Sequence, residues 1–251
     1  MKNISVEIQN EIGIIKLDNG VTNTISLQVV GELHEAITKL ADNQSVRALI
    51  ITSANEKFFS IGFDIPNLYD LTPAQFEDFY DTFNKFALDL FTYSKPTLAA
   101  MPGHAIAGGC ILALCCDYRV IAEGRKLMGL NEIKLGVPVP YMVDCILRDL
   151  IGTQRGRDVL ELGEFYPPED LLRLGMVDLV VPVDEVLPAS IEKIQALGEM
   201  PNAAYAIIKQ NRVLPVQEKI LATYETKKAK FIECWYSSEG RARLKKAAEK
   251  F

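Results

Sequence analysis

The chain has 251 residues, of which 49% are hydrophobic, so it can bury a large core as one domain with an appendage. Its net charge of −6 argues against nucleic acid or an anionic membrane as the main partner, and no apolar run reaches the ~18 residues of a membrane span. Five cysteines without metal-ligand spacing and only two histidines argue against a metal site. Without a signal peptide or a peroxisomal address, the sequence predicts a cytoplasmic protein with reduced thiols.

The first predicted elements are two strands, a helix and a third strand. The letters ISVEI and IGIIKL predict a hairpin of two short strands. A helix is predicted from Ser26, because apolar residues then recur at spacings of four and three residues. These residues are Val29, Leu33, Ile37 and Leu40. The apolar run VRALIITS predicts a strand in a sheet that is buried on both faces.

The middle of the chain alternates strands and helices. The segment Pro73–Tyr93 is aromatic and helical in period, which is typical of core or of a lid over an apolar groove. Further strands are predicted at PTLAAMPG, YRVIAE and KLMGL. We therefore predict an alternating α/β core over residues 1–190 and a helical C-terminal region over residues 191–251, whose last stretch is basic.

Two adjacent glycines, Gly108 and Gly109, follow a predicted strand and begin an apolar helix. The first turn of a helix has unpaired N–H groups and partial positive charge, and glycine lets a ligand oxygen approach them. A second glycine turn, at Gly62 in FFSIGFDI, also follows a strand, so the two turns can supply the two donors of an oxyanion hole. The alternative is close packing of the helix start against the sheet. Neither turn has the pattern of a nucleotide-binding loop.

The best candidate for an acid or base is Glu132, which lies between a predicted strand and a glycine turn among apolar neighbours. Burial raises the pKa of a carboxyl and suits it to proton transfer near neutral pH. The alternative is an ordinary surface glutamate. Asp117 is interpreted as a structural partner of the backbone or an arginine, and Asp64 as the residue that holds its own turn.

Four segments, in this order, resemble motifs of the crotonase (enoyl-CoA hydratase/isomerase) superfamily, and the resemblance covers nearly the whole chain. They are FFSIGFDI, GHAIAGGCILALCCDYRVIAE, GLNEIKLGVPVP and VLELGEFYPPEDLLRLGMVDLVVP. The resemblance implies an α/β fold built as a ββα superhelix, with C-terminal helices that form a homotrimer, often paired into a hexamer. It also implies an acyl-CoA thioester as substrate and no metal or redox cofactor.

The resemblance assigns roles to residues of these motifs. The backbone N–H groups of Phe63 and Gly108 would bind the thioester oxygen, and Glu132 would transfer the proton. The residues expected along CoA and the acyl chain are Ser60, Ile61, Gly62, Asp64, Gly109 and Ile111. The aromatic segment 73–93 is expected to shape the acyl pocket. The basic segment RARLKKAAEK is a candidate for CoA phosphates, and the other interpretation is a solvated helix face.

One position departs from the hydratase pattern of the superfamily. Hydratases carry two glutamates, one at the position of Ile111 and one at that of Glu132. An apolar Ile111 cannot hold the water that hydration needs, whereas one carboxyl is enough to move a proton between two carbons. The motifs are also most similar to the Δ3,Δ2-enoyl-CoA isomerase branch, which predicts a 3-enoyl-CoA to 2-enoyl-CoA isomerase of fatty acid β-oxidation. The alternatives are a hydratase, an acyl-CoA hydrolase and a catalytically silent CoA-binding protein.

Overall fold

The computed structural model describes residues 1–249 and contains two β-sheets surrounded by helices. The strands are β1 (Ile4–Gln9), β2 (Ile12–Leu17), β3 (Ala48–Ser53), β4 (Phe58–Ser60), β5 (Thr97–Met101), β6 (His104–Ile106), β7 (Tyr118–Ala122), β8 (Met128–Gly129), β9 (Phe165–Tyr166) and β10 (Leu179–Val181). The helices are α1 (Leu27–Asp42), α2 (Ile65–Tyr69), α3 (Pro73–Phe91), α4 (Gly108–Cys115), α5 (Tyr141–Ile151), α6 (Thr153–Leu162), α7 (Pro168–Leu174), α8 (Val186–Gly198), α9 (Asn202–Leu221), α10 (Tyr224–Tyr236) and α11 (Ser238–Ala248). Within the described residues, none of the helices has the length and hydrophobicity of a transmembrane segment.

The larger sheet has six strands in the order β1-β2-β3-β5-β7-β10. β1 and β2 form the predicted antiparallel hairpin, and the other neighbouring strands pair in parallel. β3 is buried over all but its last residue, as the apolar run VRALIITS predicts for a sheet that is covered on both faces. α1 packs on one face, where its apolar stripe joins the main core.

α8 covers the other face of the larger sheet. Its residues Val186 and Ile194 pack in one cluster with inward-facing strand residues such as Ile50. The predicted domain boundary at residue 190 lies within α8, and α9, α10 and α11 follow it in the chain. Residues 250–251 of the predicted region lie outside the described residues.

Three successive ββα units build the core that carries the candidate site. In each unit one strand joins the larger sheet, the next joins the smaller sheet, and a helix follows: β3-β4-α2, β5-β6-α4 and β7-β8-α5. The smaller sheet has the order β4-β6-β8-β9, and its first three strands run in parallel. The turns that follow β4, β6 and β8 therefore lie along one edge. This arrangement confirms the predicted ββα fold.

Polar and aromatic contacts join the C-terminal helices to the core. Lys209 of α9 donates a hydrogen bond to the Asp117 carboxylate over 2.7 Å, and the Thr97 N–H donates to the same carboxylate over 2.9 Å. These contacts confirm Asp117 as a structural residue. Trp235 of α10 stacks on Phe76 of α3 with 4.1 Å between the ring centroids, which holds α10 against the core.

Candidate active site

Two turns meet where β4 and β6 end. Gly62 follows β4 with φ of +92°, and Ala107 follows β6 with φ of +47°. A positive φ is rare for alanine and costs about 1–3 kcal/mol, so the surrounding contacts must hold this turn in place. α4 begins immediately after it, at Gly108. A Cβ at Gly62 would stand 2.6 Å from the Gly108 nitrogen, so the two turns are in direct contact.

The two predicted oxyanion donors lie at this contact. Phe63 pairs with Ile25 in an isolated parallel bridge, but the bonds of that bridge do not use the Phe63 N–H. Gly108 is the first residue of α4, where an N–H has no partner within the helix. Among the described residues, neither N–H group donates a hydrogen bond to another backbone group. Two adjacent donors are thus left for one ligand oxygen.

Gly109 allows α4 to begin directly against β4. A Cβ at Gly109 would stand 2.2 Å from the Ser60 carbonyl oxygen. This contact is too short for any residue other than glycine unless the backbone moves. The Ser60 hydroxyl donates to the Asn23 carbonyl over 2.7 Å and accepts from the Gly62 N–H over 3.0 Å. The close packing of α4 against β4 therefore occurs together with the two oxyanion turns and is not an alternative to them.

Glu132 begins a short 3₁₀ turn, Glu132–Leu135, which follows β8. The residue is 6% exposed, and its Oε2 atom has no hydrogen-bond partner among the described residues. Burial raises the pKa of Glu132 from its ordinary value of 4.5 to about 7, although its own backbone N–H opposes this rise. A carboxyl with this pKa can accept and donate a proton near neutral pH. Its burial excludes the alternative of an ordinary surface glutamate.

A cavity of about 840 Å³ lies in front of these groups. Ile61, Phe63, Gly108 and Glu132 line the cavity, so the structure brings four of the predicted site residues together. Only one other acid, Glu239, lines the cavity in the described part of the chain, and its side chain is 72% exposed. Among the described residues, Glu132 is therefore the single buried acid of the cavity.

Five further predicted site residues do not line the cavity within residues 1–249. They are Ser60, Gly62, Asp64, Gly109 and Ile111. Asp64 caps α2, where its carboxylate accepts from the Asn67 N–H over 3.3 Å. Ile111 is 1% exposed and packs in the main core. The structure gives these residues supporting roles around the cavity, and their contacts with CoA and the acyl chain stay predictions.

The sequence interpretation missed the part of the cavity wall that α10 supplies. Phe231 and Trp235 of α10 line the cavity, and their spacing of four residues in a helix is the signal that was available. The aromatic segment that was expected to shape the pocket acts through Phe63. Phe79 and Phe83 of α3 meet the Phe63 ring edge-on, with centroid distances of 4.9 and 4.8 Å.

The basic segment of α11 lies at the cavity. Arg243 and Lys246 line it, together with Lys134 of the 3₁₀ turn. Arg243 pairs with Glu239 over 2.9 Å and donates to the Lys134 carbonyl over 3.4 Å, which ties α11 to the turn that carries Glu132. The described part of RARLKKAAEK thus places positive charge beside the cavity, and its contact with CoA phosphates stays a prediction.

The buried carboxyl of Glu132 predicts a pH-dependent cost in stability. Between pH 4.5 and about 7 the folded chain holds a proton that the unfolded chain has released, so stability falls as the pH rises through this window. The loss amounts to about 3 kcal/mol above pH 7. Glutamine does not ionise, so the free energy of unfolding of a Glu132→Gln variant should not fall in this way. Relative to the wild type it should rise by about 3 kcal/mol between pH 4.5 and about 7. Denaturant unfolding of both proteins at several pH values measures the difference, and parallel curves would contradict the assignment.

Comparisons with known proteins agree with the motifs. The chain matches the enoyl-CoA hydratase/isomerase family over residues 7–250. It is 36% identical to the mitochondrial enoyl-CoA delta isomerase 1 of Mus musculus over 188 residues, which are 74% of this chain and 65% of that protein. It is 34% identical to a probable enoyl-CoA hydratase of Mycobacterium bovis over 210 residues, which are 82% of this chain and 79% of that protein.

Solved structures show the same fold. The human mitochondrial delta3-delta2-enoyl-CoA isomerase superposes with a TM-score of 0.95 at 27% identity, covering 99% of this chain and 98% of that chain. An enoyl-CoA hydratase from Bacillus halodurans superposes with a TM-score of 0.89 at 24% identity, covering 98% of this chain and 100% of that chain. With a family match over nearly its whole length, the chain belongs to the enoyl-CoA hydratase/isomerase family.

Proposed function

We propose that this protein is an acyl-CoA enzyme that moves the double bond of a 3-enoyl-CoA to the 2-position. The observation that carries the proposal is that one buried acid, Glu132, and two N–H groups without a backbone partner line the same cavity within residues 1–249. The relatives named as delta isomerases support this reaction. The hydratase relatives, at a similar identity, support only the shared acyl-CoA chemistry.

In the proposed reaction the thioester oxygen accepts hydrogen bonds from the N–H groups of Phe63 and Gly108. The Glu132 carboxylate removes a proton from C2, and the electron pair delocalises into a dienolate whose negative charge lies on that oxygen. Glu132 then returns the proton at C4, which leaves the double bond between C2 and C3. The two N–H donors stabilise the dienolate, and the loss of one such donor typically costs about 2.7–4 kcal/mol of barrier.

The residue at position 111 favours isomerisation over hydration. Hydratases of the family are expected to use a second glutamate there to hold water, and this chain has a buried isoleucine. A proton that leaves one carbon and returns to another needs no second carboxylate. The apolar surroundings of Glu132 also raise its pKa to about 7, where one group can serve both steps.

The test is a parallel assay of three reactions with the purified protein. We expect cis- or trans-3-enoyl-CoA to yield the conjugated thioester, followed by its ultraviolet absorbance. We expect kcat/KM to fall below about pH 7, because Glu132 must be ionised to remove the proton. Faster formation of 3-hydroxyacyl-CoA from 2-enoyl-CoA would identify a hydratase, and faster release of free CoA a hydrolase. Binding of acyl-CoA without turnover would identify a silent CoA-binding protein.

We further propose a homotrimer, alone or paired into a hexamer, that works in the cytoplasm without a metal or redox cofactor. α9 supports the assembly, because Ile207, Leu214 and Leu221 recur every seven residues and are 58%, 38% and 55% exposed. An exposed apolar stripe of this kind is typical of a contact between subunits. The five free cysteines fit a reducing compartment. The proposed proton transfer uses only groups of the protein and the substrate.

A further inference from the structure

Arg119 carries a buried charge that the proposed reaction does not use. The residue lies in β7, shortly after α4, and is only 3% exposed. Arginine is rarely buried to this extent unless its guanidinium is paired, so its contacts indicate what it stabilises.

The Arg119 guanidinium binds the carboxyl end of α4. It donates to the Cys116 carbonyl over 2.6 Å, to the Asp117 carbonyl over 3.1 Å and, more weakly, to the Ala113 carbonyl over 3.4 Å. Carbonyls at the end of a helix lack partners within the helix and form the negative end of its dipole. A cation at this position therefore stabilises α4 and places a positive charge at its carboxyl end.

The other end of α4 is the oxyanion turn at Gly108. α4 has eight residues, so its two ends are about 12 Å apart across the protein interior. Charges act over such a distance more strongly in a buried region than in water. The pKa of the Cys110 thiol, in the first turn of α4, is raised mainly by burial and further by Glu132, whereas Arg119 lowers it. The electrostatic effect of Arg119 therefore extends to the first turn of α4, which carries the Gly108 N–H.

We propose that Arg119 is a positioning residue for the oxyanion hole. By placing a positive charge at the carboxyl end of α4, it strengthens the Gly108 N–H as a donor to a negatively charged thioester oxygen. The inference rests on the proposed role of Gly108. It is distinct from that role because Arg119 touches neither the cavity nor the substrate.

Asp178 is the counter-charge of Arg119. The Asp178 carboxylate lies 3.7 Å from the guanidinium of Arg119. It also accepts a hydrogen bond from the backbone N–H of Arg119 over 2.7 Å. The Asp178 side chain is 30% exposed and the Arg119 side chain 3% exposed, so water screens the negative charge more than the positive one. The pair therefore leaves a net positive field along α4. Removal of either charge should change that field in opposite directions.

The test measures the oxyanion hole without turnover. Acetoacetyl-CoA is bound to the full-length protein, and its ionisation to the enolate is followed by ultraviolet absorbance as the pH is raised. Arg119→Gln keeps an amide donor for the carbonyls but removes the charge. We expect it to raise the apparent pKa of bound acetoacetyl-CoA by about half a unit to one unit, and to lower kcat about 3- to 10-fold with KM within about twofold. Arg119→Lys, which keeps the charge, should recover most of both losses.

Asp178→Asn is the matched variant of opposite sign. It keeps an oxygen for the Arg119 N–H and should lower the apparent pKa of bound acetoacetyl-CoA. A folded Arg119→Gln protein whose bound acetoacetyl-CoA ionises as in the wild type would overturn the proposal and leave Arg119 as a structural anchor only. If Arg119→Gln does not fold, the Asp178→Asn protein decides, because an unchanged or raised apparent pKa overturns the proposal. Since the measurement is the ionisation of bound acetoacetyl-CoA and not the transfer of a double bond, this result is independent of whether the isomerisation assay succeeds.

Discussion

Replacing Glu132 by glutamine is expected to lower kcat for 3-enoyl-CoA by about 10²–10⁴-fold. Glutamine has nearly the same size and suits the same buried position, but it cannot take up the C2 proton or return it at C4. KM should change by less than about threefold, because the N–H groups of Phe63 and Gly108 still bind the thioester oxygen. The absorbance of the conjugated thioester, recorded at saturating and at low substrate, separates the two constants.

The control is the same substitution on the other acid of the cavity. Glu239 also lines the cavity, but its side chain is 72% exposed and pairs with Arg243 on the same helix. Since exposed ion pairs contribute little, Glu239→Gln should keep kcat within about twofold of the wild type. If Glu132→Gln retained a tenth or more of the wild-type kcat, Glu132 would not be the base.

Replacing Gly109 by alanine is expected to damage both stability and activity. The new Cβ would stand 2.2 Å from the Ser60 carbonyl oxygen and 2.8 Å from the Ser60 carbonyl carbon. Because both neighbours are backbone atoms, α4 must move away from β4, at a cost of about 1–3 kcal/mol in the free energy of unfolding. The same movement displaces the Gly108 N–H, so kcat should fall by about 10²-fold or more. Denaturant unfolding and the isomerisation assay measure the two effects.

Gly31 provides the matched control for this substitution. It lies on the exposed face of α1, and a Cβ there would meet nothing within 4 Å. Gly31→Ala should therefore raise the free energy of unfolding by about 0.5–1 kcal/mol and leave kcat unchanged. A Gly109→Ala protein that matched Gly31→Ala in both measurements would show that the contact between α4 and β4 is not needed.

Patterns along the chain predicted the parts of the site that are local. Gly108, Gly109 and Glu132 each lie in a turn that follows a strand. The residues that mark each turn are close together in the sequence, so a local pattern is enough to find them. The pairing of the two glycine turns could be predicted as well, because parallel neighbours such as β4 and β6 end at the same edge of a sheet. The raised pKa of Glu132 followed from its apolar neighbours.

Contacts between distant segments could not be predicted in this way. Phe231 and Trp235 reach the cavity because α10 packs on α3, and their helical spacing indicates an apolar face but not the segment that it meets. The burial of Ile111 in the main core likewise depends on how α4 packs against the elements around it. The face that α8 turns to the sheet also depends on packing, and residue 190, the predicted boundary, lies inside this helix.

The wall that α10 and α11 add to the cavity has a consequence for the order in which the site is assembled. A ribosome delivers both oxyanion turns and Glu132 well before it delivers these two helices. Because α11 docks on the 3₁₀ turn that Glu132 begins, we expect the Glu132 carboxyl to be more exposed, with its pKa nearer to the ordinary value of 4.5, until α11 is in place. Its strength as a base is therefore acquired last, and an incompletely folded chain with every catalytic group in place would still be a poor catalyst.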